Sequence, residues 1–419
     1  MSLLIKNIKG LVGYSDKEKI EKKKGSGMMQ LDMLTDAWLY IEDGRISSYG
    51  TMSELPFSLK ASDEIDAYGK FVLPSWIDCH THLVFPASRE QEFVMKIKGA
   101  SYEEIAASGG GILNSAKKLS EISEEELLHA ALHRLDEVIR MGTGAIEIKS
   151  GYGLSLEGEL KMLRVINELK KSSPIPVRIT FLGAHAIPAK FKDNKRAYLD
   201  LMIHEMLPEI KSGKLADYID IFIEKGFFNL DDASRILEAG IKAGLKPRLH
   251  VDQLTEMGGV PFGVRYSAIS VDHLEQISAD GIKALQESET MPVLLPACSF
   301  YLGMPYPPAR KMIQAGLPVV LASDYNPGSS PSGNMNFVLS LACIYMKMLP
   351  EEAINAATVN AAFALEMENQ SGTIRVNAEA NLIITKALPS LYNIPYSFGN
   401  HSIDKVIVNG KLYEGMNYF

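Results

Sequence analysis

From residue 71 onward, apolar residues fall in short, nearly unbroken runs, and the stretches between them carry helical spacing. Eight runs read as strands: 71–82, 143–153, 177–186, 218–226, 247–253, 268–275, 292–300 and 318–326. Between the first two, Leu127, Leu128, Ala131, Leu132, Leu135 and Ile139 line one side of a helix. Strands that are apolar on both faces and alternate with amphipathic helices predict a parallel sheet covered on both sides. Eight such units in about 260 residues match a (β/α)₈ TIM barrel. A doubly wound open sheet is the alternative, but no G-x-G-x-x-G follows a strand to support it.

The ends of the chain are patterned differently. Residues 1–65 read as short strands and turns, with a hairpin signal at Asp43-Gly44, and the tail from about 370 repeats the style with Asn409-Gly410. These patterns predict one small β-sandwich domain built from 1–65 plus 370–419, flanking a catalytic barrel over 66–369. The basic cluster Lys17 to Lys24, interrupted by Glu18 and Glu21, reads as a solvated hairpin tip.

Composition narrows the class of function. The chain has 419 residues, 46% hydrophobic and 22% charged, with a net charge of −8. An acidic balance provides no footprint for nucleic acid. No apolar run approaches the roughly 20 residues that span a bilayer. Cys79, Cys298 and Cys343 lie far apart and form no C-x-x-C, which fits a reducing compartment. With no signal-peptide pattern at the start, the expectation is a cytoplasmic protein.

The first run ends in Asp78-Cys-His80-Thr-His82. Residues i and i+2 on a strand share a face, so both imidazoles can grip one divalent metal. Of nine histidines, five stand at the C-terminal ends of predicted barrel strands: His80, His82, His185, His250 and His273. That is the face on which barrels build active sites. The others, His129, His133, His204 and His401, read as surface or boundary residues. The eighth strand ends in Ser323-Asp324-Tyr-Asn326, with an acid where buried strand meets loop. His80, His82, His250 and Asp324 would form a nitrogen-rich metal site with one oxygen ligand, suited to Zn²⁺ or Fe²⁺. Such an ion lowers the pKa of a bound water toward about 7. His273 and His185 would remain for proton handling or substrate contact.

Other residues cluster at the same mouth. Arg89, in the loop after the first strand, can hold a carboxylate in a fork. Ser108-Gly109-Gly110-Gly111 reads as a close-approach or lid loop; it lacks P-loop spacing. Tyr152, within Lys149-Ser-Gly-Tyr-Gly, is expected at the mouth, and Asn326-Pro-Gly328-Ser329 reads as a turn offering hydroxyls and backbone N–H groups beside Asp324.

Taken together, Asp78 to Phe85, Ser88-Arg89-Glu, Gly109 to Ile112, Lys149 to Leu154, Phe181 to His185, Ser270 to Glu275 and Ser323 to Ser329 resemble the imidazolonepropionase family of the amidohydrolase superfamily. The resemblance runs from about Ile5 to Lys411. It implies a hydrolase of histidine degradation that opens the ring of 4-imidazolone-5-propanoate to N-formimidoyl-L-glutamate. It also implies one Zn²⁺ or Fe³⁺ ion per subunit, a homodimer, and a small-molecule substrate with a carboxylate tail. It assigns the metal to His80, His82, His250 and Asp324, and substrate contacts to Arg89, Tyr152, His185, Asn326, Gly328 and Ser329. The scheme that follows has an activated water attack the ring carbonyl carbon, His273 orient the oxyanion, and Asp324 carry the proton to the leaving nitrogen.

Two positions depart from the family pattern. Gln253 stands where some members and related deaminases carry Glu; an amide can hydrogen-bond the substrate ring but cannot shuttle a proton. Proton transfer is therefore expected to rest on Asp324, His273 or His185, and the same residue argues against deamination of a nucleobase-like ring. Pro86 alters the loop before Arg89. Another cyclic amide or amidine hydrolase on the same scaffold, and a metal-free barrel used as a binding protein, remain as alternatives.

Overall fold

The computed structural model describes residues 2–17, 19–100, 104 and 110–416. Ser108 and Gly109 of the glycine-rich loop lie outside the described residues; Gly110 and Gly111 lie within them.

Eight parallel strands form the barrel in sequence order: Trp76–Asp78, Thr143–Lys149, Val177–Ala184, Tyr218–Ile223, Lys246–Val251, Ser270–His273, Met291–Leu294 and Val320–Leu321. They are called here the first to eighth barrel strands. The ring closes through a parallel bridge between Thr81 and Tyr325. Helices cover the outside. Glu124–Arg140 starts at a capping box, where Ser123 and Glu126 satisfy each other's backbone N–H. It buries Leu127, Ala131, Leu135 and Ile139, with Leu128 and Leu132 half-buried on the flank. The amphipathic stripe read from the sequence is the face that packs.

Residues from both termini build a second, eight-stranded mixed sheet. Ser2–Val12 pairs with Met33–Glu42, which pairs with Arg45–Thr51; Leu382–Ala387 pairs with Ile403–Val408. The two terminal portions are joined by Leu382–Ala387 lying antiparallel on Lys70–Pro74. Ile5, Ile8, Leu39, Ile41, Leu382 and Ile407 form its core. The hairpin turns are as expected. Asp43 and Gly44 have φ of 48° and 81°, and Asn409 and Gly410 have 48° and 76°, the left-handed pair of a type I′ turn. The two turns also touch, since a Cβ on Gly410 would lie 2.8 Å from the Gly44 Cα.

Three expectations change; one is that the run 292–300, read as a strand, is a strand only over Met291–Leu294 and continues as the helix Pro296–Leu302. The predicted strand 71–82 is two strands. Lys70–Pro74 belongs to the terminal sheet and Trp76–Asp78 to the barrel. At the junction the Ser75 N–H bonds to Asn381, and the next N–H, of Trp76, bonds to Gly142 in the barrel. Pro74 has no N–H with which to continue the first ladder. The basic cluster is also not a solvated hairpin tip. Residues 13–17 and 19–32 leave the sheet and run along the barrel. There the Lys23 N–H bonds to Asn360 Oδ1 (2.8 Å), Met28 is buried, and Lys22 pairs with Glu289.

Candidate active site

The interior of the barrel is polar. Along the buried strands, inward positions carry Asp78, Glu147 and Lys149, Asp220, Arg248 and Asp272, all essentially inaccessible to solvent. Lys149 Nζ lies 2.9 Å from Glu147 Oε1 and 3.0 Å from Asp220 Oδ2. Arg248 donates to the carbonyls of Ala364 (2.8 Å) and Cys79 (2.9 Å) and lies 3.5 Å from Asp272. Burial alone would push the Lys149 ammonium down, but Glu147 and Asp220 outweigh it and raise its pKa. Burial likewise opposes charge on Asp220, yet His250 and Lys149 hold its carboxyl well below the usual range.

This charged layer supports the histidines above it. His80 Nδ1 is 2.6 Å from Asp272 Oδ2, and His250 Nδ1 is 3.0 Å from Asp220 Oδ2. At His80 the carboxylate hydrogen-bonds one ring nitrogen, which fixes the tautomer and aims the other, the usual support for a metal-ligating imidazole; at His250 the contact is one of charge, with no hydrogen bond formed. Barrel closure then delivers the acid. Asp324 donates its N–H to the His80 carbonyl (3.0 Å) and His82 donates to the Tyr325 carbonyl (2.9 Å). Asp324 Oδ1 consequently lies 3.5 Å from the Nε2 atoms of both His80 and His82. His80, His82 and His250 offer ring nitrogens within 4.8 Å of one another. Buried nitrogens of all three make no hydrogen bond, including Nε2 of His80 and of His250. Burial, then Lys149 for His80 and His185 for His82, keeps the H-x-H imidazoles well below their usual pKa and so neutral, the form that ligates. Buried nitrogens without a hydrogen bond, beside a carboxylate, fit a divalent or trivalent metal ion.

Around this centre the remaining residues take distinct places. His273 Nδ1 is 3.6 Å from Glu275 Oε1; burial opposes protonation, but Glu275 prevails and raises the pKa of the imidazole. Its φ of 87°, like the 54° of Asp324, is left-handed. Such strain costs about 1–3 kcal/mol and concentrates at functional sites. His185 stacks on His82 with ring centres 5.1 Å apart. Its Nδ1 meets the Gly151 carbonyl at 3.1 Å, and burial, followed by His250, pushes its pKa down to about 3. It is therefore a neutral ring with its proton on Nδ1. Tyr152 is buried rather than exposed at the mouth, with its ring 6.0 Å from that of His82. Gln253 donates to the Cys298 thiol at 3.4 Å. Asn326 folds its own turn: Oδ1 accepts from the N–H groups of Gly328 and Ser329, each at 2.8 Å, and Nδ2 donates to the Asp324 carbonyl at 2.7 Å. Those two N–H groups are thus engaged within the turn. His129, His133, His204 and His401 are exposed and stand apart from the site.

Arg89 enters from the helix Glu90–Ile97, where its Nε (2.9 Å) and Nη2 (2.5 Å) both donate to Glu92 Oε2. The other Glu92 oxygen accepts from the Gly111 N–H at 2.9 Å. Glu92, Asp220, Asp272 and Glu275 were not singled out from the sequence. The available signal was a charged residue two positions before a strand-end histidine, as in Arg248-Leu-His250, or an acid on a neighbouring buried strand.

A model of the amidohydrolase family matches residues 231–413. Imidazolonepropionases of Flavobacterium johnsoniae and Christiangramia forsetii are 54% and 53% identical to this chain over 412 residues, covering 98% of it and all of each relative. The chain belongs to the imidazolonepropionase family. Among solved structures, a guanine deaminase from E. coli superimposes with a TM-score of 0.74 over 100% of both chains at 12% identity. At that identity the likeness is one of fold, which places the imidazolonepropionase sequence on the barrel-and-sheet scaffold of the amidohydrolases.

Proposed function

We infer that this enzyme hydrolyses 4-imidazolone-5-propanoate to N-formimidoyl-L-glutamate in histidine degradation. The observation that carries the reading is the near-complete match to imidazolonepropionases combined with three strand-end imidazoles converging beside Asp324. Water adds to the ring carbonyl carbon, the adjacent ring C–N bond breaks, and the carbonyl becomes a new carboxylate.

His80, His82, His250 and Asp324 would hold one metal ion, and three nitrogens with one oxygen suit zinc and iron. When bound, the ion supplies Lewis acidity at the reacting water and carbonyl. Asp324 accepts the water's proton and passes it to the leaving nitrogen. His273, whose pKa Glu275 raises, donates a hydrogen bond to the developing oxyanion. His185 has no proton on Nε2, so it serves as an acceptor and packing surface rather than an acid. Tyr152 and Gln253 position the ring. Arg89 stands at the end where the propanoate tail lies. The same reading has the enzyme act as a homodimer in the cytoplasm, and sedimentation against the 46.1 kDa chain mass checks the oligomer. Among the described residues, no helix is long and apolar enough to cross a membrane.

The test is turnover of imidazolone propanoate generated in place from urocanate, with metal content assayed on the same sample. Formimidoylglutamate should appear, cease after the metal is stripped, and return with either zinc or iron, which names the working ion. Metal-loaded protein without turnover would discard this substrate and keep the hydrolase scaffold.

A further inference from the structure

Arg89 is already neutralised before any substrate arrives. Two of its three nitrogens are bound to buried Glu92. A carboxylate approaching this pair meets a fork with no net charge. The excess charge lies elsewhere on the same helix. Half-buried Lys96 sends Nζ to within 3.3 Å of the Gly328 carbonyl oxygen and stands 5.5 Å from the centre of the Tyr301 ring. Gly328 is also where Arg89 rests, since a Cβ there would lie 2.3 Å from Arg89 Nη1. Two cations therefore converge on one glycine of the strand-eight turn with one carboxylate between them. Among the described residues Lys96 makes no ion pair within 4 Å. Burial, then repulsion from Arg89, lowers the pKa of its ammonium, and a second anion at this spot would offset that repulsion.

We propose that Lys96 is a specificity-determining residue, supplying the uncompensated positive charge that holds the substrate's propanoate carboxylate while the Arg89–Glu92 pair sets the shape of the fork. The cluster of Arg89, Lys96 and Glu92 carries a net charge of +1, which one carboxylate cancels. This inference rests on the substrate reading above.

The experiment compares wild type, K96Q and K96R on imidazolone propanoate and on its propanamide analogue, which lacks the charge. Thermal midpoint and metal content verify that each variant is folded and loaded. K96Q should raise KM for the carboxylate substrate about tenfold, the size of one lost charge-assisted contact, with kcat changed less than twofold. K96R should recover most of the loss, and the amide should respond equally to wild type and K96Q. Unchanged KM, or the same loss on both substrates, overturns the assignment and leaves Lys96 as a brace for the Gly328 turn. Calorimetric binding of N-formimidoyl-L-glutamate reads the same site without turnover. Binding weakened in K96Q while wild type shows no turnover faults the reaction and keeps the Lys96 assignment. Binding indifferent to K96Q overturns the assignment whether or not the enzyme turns over.

Discussion

Replacing Lys149 by methionine removes the one ammonium that two buried carboxylates share. The side chains are nearly equal in length, so the change is chiefly one of charge. At 2.9 and 3.0 Å, each contact carries about 6 kcal/mol of Coulomb attraction at an effective dielectric of about 20. Desolvating the ions takes back several kcal/mol apiece. The variant, however, leaves Glu147 without its cation and Asp220 with only His250 beside it, and removing one member of a buried pair costs about 3–5 kcal/mol. Against a total stability of about 5–15 kcal/mol, this is a large fraction. Urea unfolding of metal-saturated protein, followed by circular dichroism, should show a lower midpoint with an unchanged slope. The double variant Lys149→Met/Glu147→Gln, which also removes one stranded charge, should recover about 1–2 kcal/mol. A single variant within about 1 kcal/mol of wild type, or a double variant no more stable than the single, would refute the charge-sharing account.

Asp272→Asn should weaken metal binding about 10–100-fold, because the carboxylate that aims His80 loses its charge; competition with a chromophoric chelator measures it. Asp324→Asn should lower kcat by several orders of magnitude while the folded barrel persists, as read by single-turnover formation of formimidoylglutamate; substantial residual turnover would remove Asp324 from the proton path. Gly410→Ala should cost about 1–3 kcal/mol, since φ is 76° and the new Cβ would meet Gly44; the shift in thermal midpoint reports it.

The barrel was legible because its strands are short apolar runs at regular intervals, and the catalytic face was legible because five histidines end those runs. The supporting layer was harder to read. Glu147 and Lys149 sit two apart on one buried strand, as do Arg248 and His250, but the sequence does not tell which acid crosses to which base. Asp220 reaches His250 on the next strand and Lys149 two strands away, with the third barrel strand between them, and that pairing exists only once the sheet curls into a ring. Glu92 reads as an exposed helical glutamate until Arg89 and Gly111 fold onto it. The split at Ser75 was hidden by hydrophobicity: Phe71 to Ile77 is one apolar run, and only Pro74, with no N–H to give, marks where it changes sheets. The lysine-rich excursion misled for the opposite reason, since Met28 and Ile20 carry its packing while its charges dominate the composition.

The pairing of Leu382 with Pro74 has a consequence in time. A ribosome must add some 300 residues after the first member of that ladder before the second exists. Throughout that interval Lys70–Pro74 presents one unpaired strand edge, the kind of surface on which aggregation begins. The barrel's own strands pair between neighbours in sequence, so they can assemble as they emerge. The terminal sheet is finished last, and truncating the final 40 or so residues would leave an otherwise complete barrel carrying an open seam.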